Sequence, residues 1–128
     1  MESLYREHIL DHYRHPRNKG TLEGADISYE QDNPVCGDLV RLDIRLSGGR
    51  VSEARFSGHG CVLSMAAASM LTEEIVGRSI EELQALRDED MFKMLGITLG
   101  PVRSRCGLLP LRVLHGGLGE LPLQHLQE

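Results

Sequence analysis

The chain has 128 residues and a formal net charge of −5, with 41% hydrophobic and 26% charged residues. This length and composition predict a single globular domain over residues 1–128 that buries a core without disulfides. The acidic charge argues against a general nucleic-acid binder, and no apolar run approaches the roughly 20 residues that span a membrane. Residues 1–8 lack the basic start and apolar stretch of a signal peptide, so we expect a cytoplasmic protein with reduced thiols.

The chain opens with a predicted helix that must stop near His15, because Pro16 disfavours helical geometry in the residue before it. One face of this helix is indicated by residues at four-residue spacing, namely Tyr5, Ile9 and Tyr13. Histidines also recur at helical spacing, and a metal site on this face is conceivable. We prefer to interpret them as surface or partner-contact residues: His8, His12 and His15.

Strands are predicted in the first half of the chain. Residues 27–31 fit a short strand, and residues 40–46 alternate apolar and charged side chains, as does a strand with one buried face. A Ser-Gly-Gly turn follows. Residues 51–56 then return as the partner strand, with Val51, Ala54 and Phe56 facing inward and a slip in the alternation that indicates a bulge.

Helices are predicted in the second half. Residues 64–76 are rich in Ala and Met, and Gly77 suits the end of a helix. Ser79 and Glu82 form a capping-box pattern that opens a second helix. A short helix over residues 91–95 would be capped by Asp88.

The last helix is predicted to begin near Cys106, with Pro110 in its first turn and the Gly-Gly pair at residues 116–117 at its end. Residues 118–128 would then form a loose tail. Strands followed by helices predict an α+β domain, in which a small antiparallel three-stranded sheet has helices packed on one face and the site loops at one end.

Three widely spaced cysteines have small or charged neighbours instead of apolar ones: Cys36, Cys61 and Cys106. A single cysteine of this kind would usually be a buried apolar residue. Three with the same local character predict one metal or sulfur-handling site. Asp38 lies two residues after Cys36, so the two side chains can project to the same side of an extended loop and share a metal.

The surroundings of the other two cysteines predict reactive or ligating thiols. Cys61 precedes a helix, whose N-terminal amides favour a thiolate. Cys106 is expected at another helix start, just after Arg103 and Arg105, and both features would lower its pKa. His59 could be an alternate ligand or a proton shuttle, but we prefer to interpret it as a solvated surface residue.

Three thiolates and one carboxylate suit tetrahedral Zn²⁺ and also resemble the ligation of an iron–sulfur cluster. With Zn²⁺ the site would carry a formal charge of about −2, which nearby arginines would partly offset. A carboxylate is a more exchangeable ligand than sulfur, so the set favours a site that opens and releases its contents. A plain zinc-stabilised interaction domain is another interpretation of these residues, but the open site with its carboxylate ligand argues against it.

Four segments carry a resemblance to a known family. They are Cys-Gly-Asp at 36–38, Gly-His-Gly-Cys at 58–61 with the Ser-Met-Ala-Ala-Ala-Ser that follows at 64–69, Pro-Val-Arg-Ser-Arg-Cys at 101–106, and the opening at 11–20. In this order they resemble the IscU/SufU family, similar to the N-terminal domain of NifU. The resemblance implies a SufE/NifU-like fold and an iron–sulfur cluster assembly scaffold.

The resemblance also implies the components of the site. A [2Fe–2S] cluster would be built transiently on Cys36, Asp38, Cys61 and Cys106, and Zn²⁺ or Fe²⁺ would occupy the same ligands. Sulfur would come from a cysteine desulfurase, with all three cysteines as candidate persulfide acceptors and Cys106 or Cys36 preferred. The finished cluster would pass to apo iron–sulfur recipient proteins.

The chain departs from both branches of that family. IscU members have a histidine immediately before the third cysteine, whereas this chain has Arg105, as SufU members do. SufU members carry an extra segment between the second and third cysteines, and the 45-residue step from Cys61 to Cys106 leaves no room for it. Arg105 keeps open an alternative function, a zinc-dependent sulfur acceptor (sulfurtransferase) for a SufS-type desulfurase.

Residues 99–103 resemble the Leu-Pro-Pro-Val-Lys motif by which IscU proteins engage an Hsp70-type chaperone. The chain has Gly100 in place of a proline and Arg103 in place of the lysine. Both changes count against chaperone binding.

Overall fold

The computed structural model of the chain describes residues 2–34, 36–97 and 99–121. Its elements, in chain order, are α1 (Glu2–Arg14), β1 (Ile27–Asn33), β2 (Asp38–Ser47), β3 (Arg50–His59), α2 (Val62–Ile75), α3 (Ile80–Gln84), α4 (Asp88–Leu95) and α5 (Pro101–Gly119). Within these residues the strands form one antiparallel sheet in the order β1-β2-β3. The predicted α+β fold class is confirmed. No helix in the described part of the chain is both long enough and apolar enough to cross a bilayer.

The β2–β3 hairpin forms as predicted. Gly48 and Gly49 adopt φ values of 60° and 75°, a left-handed backbone that glycine tolerates and that tight hairpin turns require. The pairing changes from Arg45 opposite Glu53 to Leu46 opposite Val51, which leaves one extra residue on β3. The bulge indicated by the slip in the alternation is therefore present.

The core lies between the sheet and the helices. Alternate residues of β2 are fully buried, namely Val40, Leu42 and Ile44. Helix α2 contacts α1, α5 and β3, and its three consecutive alanines at residues 66–68 are buried on every side. Small side chains let the neighbouring elements approach this helix closely. As predicted, the helix ends next to Gly77, which adopts a φ of 89°.

Helix α5 begins and ends elsewhere than predicted. It starts at Pro101, which stands in the first turn where a missing N–H costs nothing. It also continues through Gly116 and Gly117, where the prediction ended it. These glycines face β1, and a Cβ on Gly117 would lie 2.6 Å from Cγ2 of Ile27. Their role is to let the helix approach the strand closely, which the sequence alone does not distinguish from helix termination.

Two smaller details of the helices also differ from the prediction or extend it. Asp88 was predicted to cap α4 but is the first residue of that helix, and the N-cap residue is Arg87. The capping box of Ser79 and Glu82 at the start of α3 forms as predicted. In the predicted tail, Leu118 and Leu121 are buried. Residues 122–128 of that tail lie outside the described part of the chain.

His12 is buried, although it was predicted to lie on the surface. Its relative exposure is 4%, whereas Tyr13, which was assigned to the apolar face, is 43% exposed. Nδ1 of His12 lies 2.8 Å from Oγ of Ser69 in α2. Ile9 is buried as predicted, and Tyr5 lies among the residues whose side chains are not described. One face of α1 thus packs on α2 through a polar contact.

The close approach of α5 to β1 can be tested with Gly117→Ala. The added methyl would collide with the branched, strand-bound Ile27, so we expect a loss of about 1–3 kcal/mol in the free energy of unfolding. Gly119→Ala on the same helix is the matched control, because within the described residues no atom outside its own stretch of helix lies within 4 Å of its Cβ position. Urea denaturation should show an unchanged or higher stability for the control. Equal effects of the two substitutions would contradict this packing.

Burial of His12 gives the stability a pH dependence. Burial, followed by the positive charge of Arg17 and the charge of His8, lowers the pKa of His12, and the carboxyls of Glu73 and Asp11 oppose this shift. The folded protein favours the neutral imidazole of His12. The contribution of His12 to the free energy of unfolding is therefore fully present above the pKa of an unfolded histidine, about 6.5. The contribution is lost as the pH falls from there towards the lower folded pKa.

We therefore expect the urea midpoint of the wild-type protein to fall between pH 7.5 and pH 5.5. The fall should be smaller in His12→Gln, while His15→Gln, at an exposed position, should behave like the wild type. Parallel pH profiles for all three proteins would show that His12 does not titrate in this way.

Candidate metal centre

Cys36, Asp38 and Cys106 meet at one end of the sheet. Cys36 lies in the turn between β1 and β2, Asp38 is the first residue of β2, and Cys106 lies inside α5. Their ligand atoms all lie within 4.8 Å of one another, and the sulfurs of Cys36 and Cys106 are 3.1 Å apart. Residues far apart in sequence thus form a group of the size and donor type that bind a metal ion.

The β1–β2 turn holds Cys36 at the tip of the site. The carbonyl of Asn33 accepts hydrogen bonds from the N–H of Cys36 at 3.1 Å and of Gly37 at 2.8 Å. Gly37 adopts a φ of 74°, which closes this tight turn without strain. Cys36 is exposed, so its sulfur is available to a partner.

The carboxyl group of Asp38 is buried, with 1% of the residue exposed. Its Oδ1 accepts a hydrogen bond from the N–H of Cys61 at 2.8 Å. Its Oδ2 is buried without a hydrogen-bond partner among the described residues. Leaving a buried oxygen unpaired costs about 1–3 kcal/mol or more, and a cation beside the two sulfurs would satisfy it. The residues therefore fit a metal ion.

Cys61 occupies the predicted position at the N-terminus of α2. It is the N-cap residue, and its sulfur accepts a hydrogen bond from the N–H of Ser64 at 3.5 Å. Gly60 allows this approach, since a Cβ there would lie 2.5 Å from both Oδ1 of Asp38 and Oγ of Ser64. Cys61 is exposed and does not belong to the tight group of three ligand atoms.

Cys106 differs from the prediction in both position and electrostatics. It lies in the interior of α5 and is 4% exposed. Burial raises the pKa of this thiol, and Cys36, Asp38 and Cys61 raise it further. The expected lowering by a helix start is therefore wrong for the metal-free protein. Pro110, four residues on, has no N–H to donate to the Cys106 carbonyl.

A cleft of about 650 Å³ opens beside the three thiols and is lined by all three of them. Its walls are largely aliphatic, with Ile9 and Leu10 from α1 on one side and Val102 at the start of α5 on another. This opening connects the group of thiols to the surface of the protein.

The three supporting residues suggested by the sequence do not all reach the site. Arg103 lines the cleft, whereas Arg105 and His59 do not. All three are exposed. Exposed charges are screened by solvent, so Arg103 contributes only weakly to the electrostatics of the site.

Two residues at the site were missed by the sequence analysis. The Nδ2 atom of Asn33 lies 3.8 Å from the sulfur of Cys106, and the fully buried Ser64 contacts the sulfur of Cys61. An Asn-Pro pair in a turn and a Ser three residues after an N-cap are local signals for both positions. The contact of Ser64 with Cys61 is local, three residues apart. The contact of Asn33 with Cys106, 73 positions away, leaves no local signal in the sequence.

A small α+β domain with three thiols and a buried carboxyl at one end of its sheet defines a class of metal- or sulfur-handling protein. The chain matches the NifU-like N terminal domain family over residues 4–126 and belongs to that family.

Two characterised relatives carry different functional names. The zinc-dependent sulfurtransferase SufU of Bacillus subtilis (strain 168) is 36% identical over 137 aligned residues, which cover 94% of this chain and 92% of that protein. The iron–sulfur cluster assembly scaffold protein IscU of Escherichia coli (strain K12) is 35% identical over 109 residues, 82% of this chain and 84% of that protein. The alignment with SufU exceeds the 128 residues of this chain, so that relative carries residues with no counterpart here.

Solved structures support the same fold. A candidate iron–sulfur cluster assembly scaffold of the SUF system from Fervidobacterium islandicum AW-1 superposes with a TM-score of 0.78 at 27% identity, covering 88% of this chain and 94% of that one. The N-terminal part of a NifU-like protein from Brucella abortus gives a TM-score of 0.74 at 18% identity, covering 98% of this chain and 96% of that one. The second likeness concerns the fold alone.

The exposure of the thiols predicts an order of reaction in the metal-free protein. We expect iodoacetamide to modify Cys36 and Cys61 before Cys106, because Cys106 is buried and its raised pKa leaves less thiolate. Mass spectrometry of peptides from timed samples would give the three rates. In urea the three rates should converge, and a folded protein in which Cys106 reacts first would contradict the geometry.

Proposed function

We propose that this chain is an iron–sulfur cluster assembly scaffold. It receives sulfur from a cysteine desulfurase, builds a [2Fe–2S] cluster with supplied iron, and transfers that cluster to apo-proteins. Cys36, Asp38, Cys61 and Cys106 would be the ligands. The observation that supports this most strongly is the group of two sulfurs and one carboxyl at a site where Oδ2 of Asp38 has no hydrogen-bond partner among the residues that the structure describes.

The three cysteines differ in exposure and are therefore expected to have different roles. Cys36 and Cys61 are exposed and Cys106 is buried, so sulfur would arrive on an exposed thiol. The Cys36 thiolate attacks the terminal sulfur of the desulfurase's persulfide. The S–S bond of the donor breaks, the donor cysteine leaves as a thiolate, and a new S–S bond forms on Cys36. Cys106 is 3.1 Å away and holds the inner side of the site.

Conversion of each persulfide sulfur to sulfide takes two electrons. One comes from the oxidation of an Fe²⁺ ion to Fe³⁺ as the cluster forms, and the other comes from an external donor such as a thiol or a reduced ferredoxin. Iron then binds to the thiolates and to the carboxylate. The harder oxygen of Asp38 is the more exchangeable ligand for this soft site, and it favours release of the cluster. The cluster is the cargo of the protein in this proposal.

A zinc-dependent sulfurtransferase is the second candidate. Arg105 stands where IscU proteins have a histidine, and the SufU relative that shares 36% identity is named for that activity. Zn²⁺ on the same residues would hold the thiols as thiolates. Cys36, Cys61, Cys106 and Asp38 would bind the ion, and one exposed cysteine would accept the sulfur.

Anaerobic reconstitution with iron, cysteine, dithiothreitol and a cysteine desulfurase separates the two candidates. The scaffold should develop the visible absorbance of a cluster and then activate an apo-ferredoxin. A colourless protein that takes persulfide rapidly, and only when loaded with zinc, would overturn the scaffold in favour of the sulfurtransferase.

Asp38→Ala should prolong the lifetime of the cluster on the protein and slow its transfer, because the exchangeable oxygen ligand is gone. Asp32→Ala on β1 is the matched control, since Asp32 is exposed. Cluster decay would be followed by visible absorbance, and equal lifetimes in Asp38→Ala and the control would remove this role from Asp38.

Two further expectations about partners and location stay predictions. The segment at residues 99–103 starts α5, where Gly100 is the N-cap and Val102 is 60% exposed. An Hsp70-type chaperone would meet an accessible segment there that lacks the motif's first proline and its lysine. A cytoplasmic location remains an expectation from the sequence.

A further inference from the structure

Asn33 contacts three parts of the proposed site at once. It is the last residue of β1 and pairs directly with Asp38 at the start of β2. Its carbonyl accepts the two hydrogen bonds that close the turn around Cys36. It is only 7% exposed, which is unusual for an asparagine beside a turn.

The side chain of Asn33 points to the third cysteine. Its Nδ2 atom lies 3.8 Å from the sulfur of Cys106, within the range of a hydrogen bond to sulfur. Val102 also contacts this sulfur, but through its carbonyl at 4.0 Å, and a carbonyl cannot donate a proton to a thiolate. Among the described residues, Asn33 is therefore the amide donor placed to stabilise Cys106 as an anion.

We propose that Asn33 is a positioning residue for the metal or cluster site. Its side-chain N–H fixes the Cys106 sulfur towards Cys36, while its backbone carbonyl fixes the turn that carries Cys36. The proposal rests on the proposed function, since it requires a metal or cluster on these thiols. Asn33 is not a ligand: it acts through the sulfur of Cys106.

Two physical consequences follow when a metal is bound. A hydrogen bond to a ligating sulfur lowers the energy of its lone pairs, so charge transfer from sulfur to metal requires more energy. Such outer hydrogen bonds also hold the ligand in place, and their loss typically lowers metal affinity about ten- to hundred-fold. Neither effect is expected from a residue that only stabilises the fold.

Cobalt(II) is a suitable probe because its thiolate complexes absorb strongly in the near ultraviolet, with no need for an activity assay. Asn33→Leu removes the amide but keeps a similar volume, and Asn33→Ala is a second variant in case the first does not fold. Both retain the backbone carbonyl that closes the turn. Gln31→Leu is the matched control, because it removes an exposed amide from the same strand.

We expect both Asn33 variants to bind Co²⁺ about ten- to hundred-fold more weakly than the wild type. Their thiolate charge-transfer band should lie at longer wavelength, while Gln31→Leu keeps the wild-type affinity and band. Unchanged affinity and band position in the folded Asn33 variants would overturn the positioning role and leave the proposed function intact. A wild-type protein that binds Co²⁺ without any thiolate band would overturn both.

Discussion

The buried carboxyl of Asp38 is the constraint on which the site depends. Its Oδ1 atom accepts a hydrogen bond from the N–H of Cys61, and this bond fixes the start of α2 next to the start of β2. The other oxygen is buried without a partner among the described residues. An unpaired buried oxygen destabilises the folded protein, and a bound cation would compensate for this loss. Both sulfurs nearest to this oxygen are positioned to share that cation.

The fold brings these groups together because two of its chain connections lie at the same end of the sheet. The β1–β2 turn carries Cys36 and leads into Asp38, the first residue of β2, and the end of β3 leads directly to Cys61. Helix α5 crosses behind them, and its close contact with β1 depends on glycines where a Cβ would collide with the strand. The same packing that closes the core thus places Cys106, 70 residues from Cys36, beside that cysteine.

The sequence predicts what is local and fails where tertiary contacts decide. Alternation in β2, the glycine hairpin and the Ser79 capping box each depend on neighbouring residues, and each is found in the structure. Gly116 and Gly117 were interpreted as the end of a helix, because a Gly-Gly pair commonly ends one. Their role in letting α5 approach β1 becomes visible only when the packed strand is seen. The burial of His12 and the raised pKa of Cys106 likewise arise from elements distant in sequence. The motifs therefore indicate the candidate site residues, while their burial and the raised pKa of Cys106 come from the fold.

We propose that the sulfurs of Cys36, Cys61 and Cys106 and a carboxylate oxygen of Asp38 bind the same metal ion. X-ray absorption at the zinc edge of the zinc-loaded protein tests it most directly. We expect about three sulfurs at about 2.3 Å and one oxygen at about 2.0–2.2 Å, with the oxygen lost in Asp38→Ala. A shell dominated by nitrogen or oxygen, or a wild-type spectrum that Asp38→Ala leaves unchanged, would contradict it.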